Sequence, residues 1–377
     1  MRESVDARHK RVLGLVRERG SVRVVELAER LGVSVETARR DVATLAEAGR
    51  LRRLHGSVHW PTAQLSPHEA RLARSAPVAA AAPAAGAAQS GLVLGMVVPA
   101  TGYFYPAVIR GARAAAAALG ARLLVGTTDY RGEEDTRRIE TLVEAGATGL
   151  LLTPSWGIEG PDQDALRELI GLPVPAVLVE RRIPTGSRGA DIGRVGSAQA
   201  EGAAAAVRHL AALGHRRIAL LSRTTHTSPH LRRGYRAAIS SFGFAQDDLS
   251  PLDASGPGGF DTFERDTDRL LELAASDGVR AAIVHTDADA INLLQRLTAR
   301  GLRVPEDFAI VAYDDELAAL ADVPLTSIAP AKHAMGDTAV RLLLRQLTEP
   351  DARSAHIELL PRLRVRASCG APADADD

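Results

Sequence analysis

Cysteine and lysine are almost absent from this sequence. Cys369 is the only cysteine among 377 residues, so no intrachain disulfide and no cysteine-based metal cluster can form. Lys10 and Lys332 are the only lysines, which argues against a phosphate-binding loop and against Schiff-base chemistry. No G-x-S-x-G or H-E-x-x-H pattern occurs, so neither a serine hydrolase nor a zinc protease is indicated. We therefore expect no enzyme activity, no bound metal and no cofactor.

Long hydrophobic runs are also lacking. The first residues, MRESVDARHKR, are charged throughout and lack the apolar core of a signal peptide. The uncharged run 76–109 contains Pro77 and Pro83, and its strongly apolar part, 92–98, is far shorter than the roughly 20 residues of a membrane span. These absences predict a cytoplasmic protein that does not contact the membrane, and the single cysteine agrees with a reducing compartment.

Charge is distributed unevenly along the chain, although the formal net charge is +0. Residues 1–60 contain 13 lysines and arginines against 8 aspartates and glutamates, a basic balance that suits a nucleic-acid partner. Composition then predicts an Ala/Pro-rich linker at 61–91, a large domain at 92–368 and an acidic tail at 369–377.

The large domain has the sequence pattern of an α/β fold. Seven short runs are apolar on both faces (LVLGMVV, ARLLVG, GLLLT, PAVLV, RIALL, AAIVH and FAIVAY), and amphipathic stretches separate them. This alternation predicts doubly wound parallel sheets in two subdomains, one at about 92–186 and 316–347, the other at about 187–315 and 356–368. Ligands in such folds bind outside the carboxyl ends of the strands, so we expect a ligand in the cleft between the two.

The basic segment contains the helical pattern VSVETARRDVATLAEAG. Ser34 is a suitable N-cap and Gly49 a suitable C-terminal glycine, so the pattern predicts a helix over 35–48. Its apolar stripe is formed by Val35, Ala38, Val42 and Leu45. Arg40 points away from that stripe and Arg39 flanks it. Two adjacent arginines on a helix are often simply exposed to solvent and have no further role. The neighbouring segments therefore have to indicate whether Arg39 and Arg40 have a function.

Those neighbouring segments indicate a winged helix-turn-helix. Two further helices are predicted before Ser34, and RLRRLHGSVHW after Gly49 predicts a β-hairpin. Residues 7–60 resemble the DeoR-type winged helix, whose pattern reads VS..T.RRD and then G...R.HGG. The matching positions are Val33, Ser34, Thr37, Arg39, Arg40, Asp41, Gly49, Arg53, His55 and Gly56. Ser57 stands where the pattern has a second glycine.

The DeoR resemblance implies that the segment binds DNA through the major groove. Arg40 and Thr37 would then reach base edges, while Arg39 and Ser34 would contact phosphates. In the wing, two more arginines are expected to contact the DNA backbone, Arg52 and Arg53.

The large domain is similar to the effector domain of the LacI/GalR family. The similar segments include GLVLGMVVPATGYFYPAVIRGARAAAAALG, AAVRHLAALGHRRIALLS and VHTDADAINLLQRLTARGLRVPEDFAIVAYDDELAALADVPLTSIAP. The resemblance implies a periplasmic-binding-protein-like fold of type I. It also implies a small effector held between the two subdomains, most often a sugar or a nucleobase, and a homodimer.

The resemblance also suggests residues that bind the effector. Phe104 and Tyr105 match an aromatic pair that packs on the ligand, Arg181 falls where many sugar-responsive members have arginine, and Asp287 matches an acid that accepts hydrogen bonds from ligand hydroxyls. Each of the last three also has a purely structural alternative: Tyr105 in the core, Arg181 paired with Glu180, and Asp287 as a helix cap.

Trp156 is a candidate on sequence position alone. It follows the run GLLLT, at the expected carboxyl end of a strand, and could stack on a sugar ring or simply cover the domain edge. Leu231 departs from the family pattern because members commonly have a ligand-binding arginine there; His230, Arg232 or Arg233 could substitute. The acidic run 314–316 could bind a metal, but a loop or cleft role is favoured.

We therefore expect a transcriptional regulator, most simply a repressor, that binds operator DNA and a carbohydrate-like effector. The family's own hinge helix is replaced by the linker, so insertion of a helix into the minor groove is not expected. Two alternatives come from other classes of protein. One is an enzyme, since doubly wound folds host many reactions, and the other is a transport binding protein.

Overall fold

The protein is described from a computed structural model. The chain divides into two units, Met1–Ala85 and Gly86–Asp377. The described residues are 8–9, 11–13, 15, 21–47, 52–54, 57–59, 91–244, 260–276, 278–349 and 351–372. Nearly all of the predicted linker and the last part of the acidic tail lie outside them.

The first unit contains a helix-turn-helix and a small sheet. The described residues between 8 and 15 are helical, and the remaining elements are α1 (Val24–Leu31), α2 (Val35–Glu47), β1 (Ser21–Arg23), β2 (Arg52–Leu54) and β3 (Ser57–His59). β3 pairs antiparallel with both other strands, which confirms the predicted hairpin. Ala38, Val42 and Leu45 of the predicted apolar stripe are buried, and they pack on α1 and the first helical segment.

The second unit contains two sheets. The first has six parallel strands in the order β13-β8-β7-β6-β4-β5. Its members are β4 (Val93–Val98), β5 (Arg122–Thr127), β6 (Gly149–Leu152), β7 (Ala176–Val179), β8 (Arg194–Ser197) and β13 (His356–Leu359). The chain leaves β4 toward β5 on one side and returns to β6 on the other, so the carboxyl end of β4 is a topological switch point.

The second sheet has five strands in the order β14-β12-β11-β10-β9, with only the short edge strand β14 antiparallel. Its members are β9 (Ile218–Ser222), β10 (Ala281–His285), β11 (Ala309–Tyr313), β12 (Thr326–Ala329) and β14 (Arg362–Arg364). All residues of β9, β10 and β11 are buried, as their uninterrupted apolar sequences require. The two parallel sheets confirm the predicted fold class.

Helices cover the faces of both sheets. They are α3 (Tyr105–Ala118), α4 (Gly132–Glu144), α5 (Gln163–Ile170), α6 (Gln199–Ala212), α7 (Ser228–Ser241), α8 (Phe260–Ser276), α9 (Asp287–Ala299) and α10 (Lys332–Thr348). Short 3-10 helices lie at Ala318–Leu320 and Ala367–Cys369. Within the described ranges, no helix is both long and apolar enough to span a lipid bilayer.

Three strands lie in a different sheet from the one that the predicted subdomain boundaries give them. β8 and β13 fall in the second predicted subdomain but pair with each other in the first sheet, and β12 falls in the first predicted subdomain but pairs with β11 in the second. The physical reason is that the chain passes between the subdomains more than once, and partner strands such as β8 and β13 are separated by about 160 residues of sequence. Local patterns carry no information about such pairing.

Two pairs of helices approach closely through glycine. A Cβ atom on Gly111 of α3 would lie 1.9 Å from the carbonyl oxygen of His333 in α10, and one on Gly234 of α7 would lie 1.9 Å from that of Ala200 in α6. No side chain fits at either place. The glycine of the GY motif at 234–235 therefore sets how closely α7 packs beside the cleft.

Candidate functional site

The second helix of the helix-turn-helix presents a polar face to solvent. The Oγ atom of Ser34 accepts a hydrogen bond of 3.1 Å from the backbone N–H of Thr37, which is the geometry of an N-cap. Thr37 is half-buried and Arg40 is exposed, and their contacts with DNA stay predictions. The side chains of three other predicted contacts lie outside what the structure describes: Arg39, Arg52 and Arg53.

Asp41, the acid of the RRD motif, faces inward. It is 4% exposed, and its carboxylate accepts hydrogen bonds from Nε and Nη2 of Arg8, the latter at 2.9 Å, and contacts Nε2 of His9 at 3.2 Å. The hydrogen bond from Arg8 holds the pKa of Asp41 below its usual value. Asp41 therefore ties the first helical segment to α2, which orients the exposed face of α2.

The second unit has a cleft of about 190 Å³ where strands of both sheets end. Residues after β4, β5 and β7 line one side, and residues after β9, β10 and β11 line the other. The lining side chains combine aromatic rings with hydroxyl, amide, imidazole and carboxyl groups. They belong to Tyr103, Phe104, Tyr105, Tyr130, Glu180, Arg181, Ser197, Gln199, Thr225, His226, Thr227, His285, Thr286, Tyr313, Asp314 and Pro330.

Backbone strain is concentrated around this cleft. Among the described residues, six that are not glycine have positive φ, and each of them closely follows a strand of one of the two sheets. They are Tyr103, Asp129, Tyr130, Glu180, Asp314 and Asp315. Four of the six line the cleft. Positive φ is costly for residues with a Cβ and is typical of functional sites, because there the fold holds a side chain in a required position.

Asp314 is the most buried acid of the cleft. It is 5% exposed, and its carboxyl group is hydrogen-bonded to the Tyr103 hydroxyl. Burial raises the pKa of Asp314 to about 6, although the nearby Lys332 ammonium lowers it. Lys332 donates hydrogen bonds to the Asp314 carbonyl oxygen and to Glu316, and its Nζ lies 5.5 Å from the centre of the Phe104 ring. Lys332, the second of the two lysines, thus stabilises the positions of Asp314 and Phe104 in the cleft lining.

Glu180 and Arg181 lie next to each other at the end of β7. Burial raises the pKa of Glu180 to about 7, and its carboxylate accepts hydrogen bonds of 2.7 Å from the backbone N–H of Ser197 and from Nε2 of Gln199. Arg181 donates to the carbonyl oxygens of Pro154 at 2.6 Å and Glu180 at 2.9 Å. Arg181 is therefore held by backbone and not by the Glu180 carboxylate.

Comparison with known proteins identifies both units. Residues 91–267 match the family described as periplasmic binding proteins and sugar binding domain of the LacI family, 207–369 match a periplasmic binding protein-like domain, and 8–64 match a DeoR-like helix-turn-helix domain. The chain carries a LacI-family effector domain C-terminal to a DeoR-like DNA-binding domain. It is a transcriptional regulator.

Curated and structural relatives agree with this assignment. The ribose operon repressor of Escherichia coli K12 is 28% identical over 281 residues, which cover 73% of this chain and 81% of the relative. Two solved structures share the fold at 23% identity. A LacI family regulator from Enterococcus faecium with bound ribose has a TM-score of 0.58 (73% of this chain, 98% of that one), and a CelR–cellobiose complex has 0.63 (97% and 100%).

Three of the five residues predicted to bind effector line the LacI-type cleft: Phe104, Tyr105 and Arg181. The rings of Phe104 and Tyr105 are 5.4 Å apart in an edge-to-face arrangement. Tyr105 also belongs to the hydrophobic core around α3 and α10, so both roles considered for it are compatible.

Asp287 lies behind the cleft, not in its lining. It is fully buried, and its carboxylate accepts hydrogen bonds from the backbone N–H groups of 315, 316 and 317, at 3.3, 2.6 and 2.9 Å, and from Oγ of Ser327 at 3.2 Å. The helix cap at the start of α9 is instead Thr286, with Asp289. In this structure Asp287 fixes the loop that carries Asp314, and its predicted contact with effector stays a prediction.

Trp156 and Leu231 also lie outside the lining of the cleft. Trp156 is half-buried against the apolar residues beneath α4 and α5, and it lines a pocket that adjoins the cleft. Leu231 is completely buried in the core of the second sheet. The position at which the family resemblance predicts a ligand-binding arginine is thus a core position in this chain.

Several cleft residues were not predicted from the sequence, notably Tyr103, Tyr130 and Glu180, whereas Asp314 belongs to the acidic run for which a loop or cleft role was favoured. Each lies within a few residues of the end of an apolar strand run, in GYFY, TTDY, VERR and AYDD. A rule that collects polar and aromatic residues after each predicted parallel strand would have found them. Gln199, at the start of α6, gives no such local signal.

Proposed function

We propose that this protein is a repressor whose affinity for operator DNA changes when a small carbohydrate binds in the cleft. The observation that carries this proposal is the convergence of strained polar and aromatic residues from both sheets on one cleft of sugar size. The relatives named for ribose and the two sugar-bound neighbours support the choice of effector class. No catalytic step is needed in this function.

The cleft suggests how each part of a sugar would be bound. The rings of Tyr103, Phe104 and Tyr130 would pack on its apolar face, while Asp314 and Gln199 would bond its hydroxyl groups. Because these residues come from both sheets, a bound sugar would draw the two subdomains together. We further propose a cytoplasmic homodimer, since a helix-turn-helix gains affinity by reading two half-sites and subdomain closure can change their spacing.

The basic test is to select DNA sequences that the full-length protein retains, and then to screen neutral and acidic sugars for a change in retention. We expect one operator motif with two related half-sites and at least one sugar that shifts its affinity. A protein that retains no sequence preferentially, or whose DNA affinity responds to no sugar, would contradict the proposal.

Arg40→Ala should weaken binding to the selected operator by about 10- to 100-fold, because a base contact by arginine contributes about 1–3 kcal/mol. Competition titrations against random DNA measure this loss of preference. Arg30→Ala removes one positive charge from the exposed end of α1, and it should weaken binding to operator and to random DNA alike. If Arg40→Ala keeps the operator preference of the parent protein, α2 does not read bases through Arg40.

Effector affinity should fall as the pH is lowered from 7 to 5. The pKa of Asp314 is about 6, so its carboxylate is ionised above that pH and accepts hydroxyl hydrogen bonds best in that form. Protonation of the Asp314 carboxylate should therefore lower effector affinity about 10-fold. Asp314→Asn should bind weakly at every pH and lose the step near pH 6, leaving only the contribution of Glu180, whose pKa is about 7. If the effector affinity of Asp314→Asn depends on pH in the same way as that of the parent protein, Asp314 does not bind the effector.

A further inference from the structure

A second pocket, of about 690 Å³, adjoins the effector cleft. We call it the outer pocket. It shares Glu180, Arg181, Gln199 and His226 with the cleft, so the two spaces are continuous. Its other walls come from the residues after β6 and β7, from the edge strand β13 and from the first turns of α7. Like the cleft, it therefore lies between the two sheets.

The outer pocket carries a positive net charge, because four arginines, Arg181, Arg182, Arg194 and Arg233, line it together with three glutamates, Glu159, Glu180 and Glu358. Arg182 and Arg194 share the carboxylate of Glu358, at 2.6 and 3.2 Å, so that carboxylate balances only one of these two guanidinium charges. Across the pocket, Arg233 is exposed on α7 and donates to no carboxylate among the described residues. Two positive charges on opposite walls thus face the same space.

His230 lies beside these arginines in the outer pocket. It is half-buried at the beginning of α7, and its pKa is lowered to about 4 by burial, by Arg182 and by Arg233. The pKa of Arg194 is also lowered, by burial and by Arg182. The N-terminus of α7, a helix of 14 residues, adds a partial positive charge at the same place.

We propose that the outer pocket binds an anionic group of the effector, a phosphate or a carboxylate, while the sugar ring of the same molecule occupies the cleft. This inference rests on the proposed function and specifies its effector class. Arg233 and His230 would donate to the anion from one subdomain, and Arg182 and Arg194 from the other. Guanidinium groups bind such anions with paired, charge-assisted hydrogen bonds, so the anion would connect the two subdomains.

Calorimetric titration of the full-length protein tests this with matched pairs of probes: ribose and ribose 5-phosphate, glucose and glucose 6-phosphate, and glucose and glucuronate. We expect the acidic member of at least one pair to bind at least 10-fold more tightly than its neutral counterpart, since hydrogen bonds to charged groups are the strong ones. The phosphate and carboxylate pairs distinguish the two anions.

Two variants should act in opposite directions. Arg233→Gln should weaken binding of the acidic sugar about 10-fold and affect the neutral sugar much less. Glu358→Gln should strengthen binding of the acidic sugar, because it removes the carboxylate that competes for Arg182 and Arg194 while keeping an amide to accept a hydrogen bond. Arg208→Gln, at an exposed position on α6 outside the pocket, is the control for loss of one positive charge and should change neither affinity.

The outcomes separate this inference from the proposed function. If neutral sugars bind and shift operator affinity as well as their acidic counterparts do, the inference is wrong and the proposed function stands. If Arg233→Gln weakens neutral and acidic sugars equally, Arg233 has a structural role and the inference is again wrong. If no sugar of either kind binds, both are wrong.

Discussion

Asp287→Ala is expected to lower the free energy of unfolding of the effector unit by about 3 to 5 kcal/mol. The substitution would leave three backbone N–H groups of the loop 315–317 and the hydroxyl of Ser327 without the fully buried carboxylate that accepts their hydrogen bonds. A buried donor that loses its partner costs about 1 to 3 kcal/mol, and no side chain at hand replaces the carboxylate. Effector response should be lost as a consequence, because the same loop carries Asp314.

Urea denaturation, followed by the fluorescence of Trp156 in a Trp60→Phe background, measures this effect. Asp287→Asn keeps one acceptor oxygen and should lose less stability than Asp287→Ala. Ser327→Ala removes only one of the four donors and should be the mildest of the three. If Asp287→Ala instead unfolds at the urea concentration of the parent protein but no longer binds effector, Asp287 is a direct effector contact, as its sequence position suggests.

Asp41→Ala is expected to unfold the DNA-binding unit selectively and to abolish operator binding. The side chain of Asp41 is 6% exposed and that of Arg8 is 15% exposed, so the substitution removes a largely buried carboxylate that accepts two hydrogen bonds from Arg8. Such a loss costs about 3 kcal/mol or more, which is a large part of the stability of a small unit. The pKa of Asp41 is lowered in the folded state, so its contribution is present above its unfolded pKa and disappears as the pH falls through the folded value.

Operator retention and urea denaturation of the two units report this effect separately. The double variant Arg8→Met, Asp41→Leu removes both charges and should recover much of the lost stability, because an apolar pair can replace a buried ion pair. The effector unit should unfold as in the parent protein in every case. Equal stability of Asp41→Ala and the parent protein would show that the first helical segment is held to α2 by apolar contacts alone.

Local sequence was sufficient to predict those helices and strands whose structure depends on a single segment of the chain. The 3.6-residue spacing of Ala38, Val42 and Leu45 predicted α2 and its buried face, and Ser34 predicted its start. The uninterrupted apolar runs predicted the buried parallel strands for the same reason, since a strand covered on both faces has no polar side. Both kinds of pattern depend only on residues close together in the chain, so the fold class could be predicted from them.

Only the tertiary structure shows the contacts of single polar residues and the grouping of the strands. Asp41 belongs to the RRD motif and bonds Arg8, 33 residues away, and Asp287, for which the family resemblance predicts an effector contact, bonds a loop about 28 residues away. β8 and β13 are about 160 residues apart in sequence but pair with each other. Both strands therefore belong to the first sheet and not to the second subdomain, where the predicted boundaries placed them. A carboxylate has the same sequence signature whether it accepts hydrogen bonds from a ligand or from backbone, and which of these it meets depends on how distant segments pack.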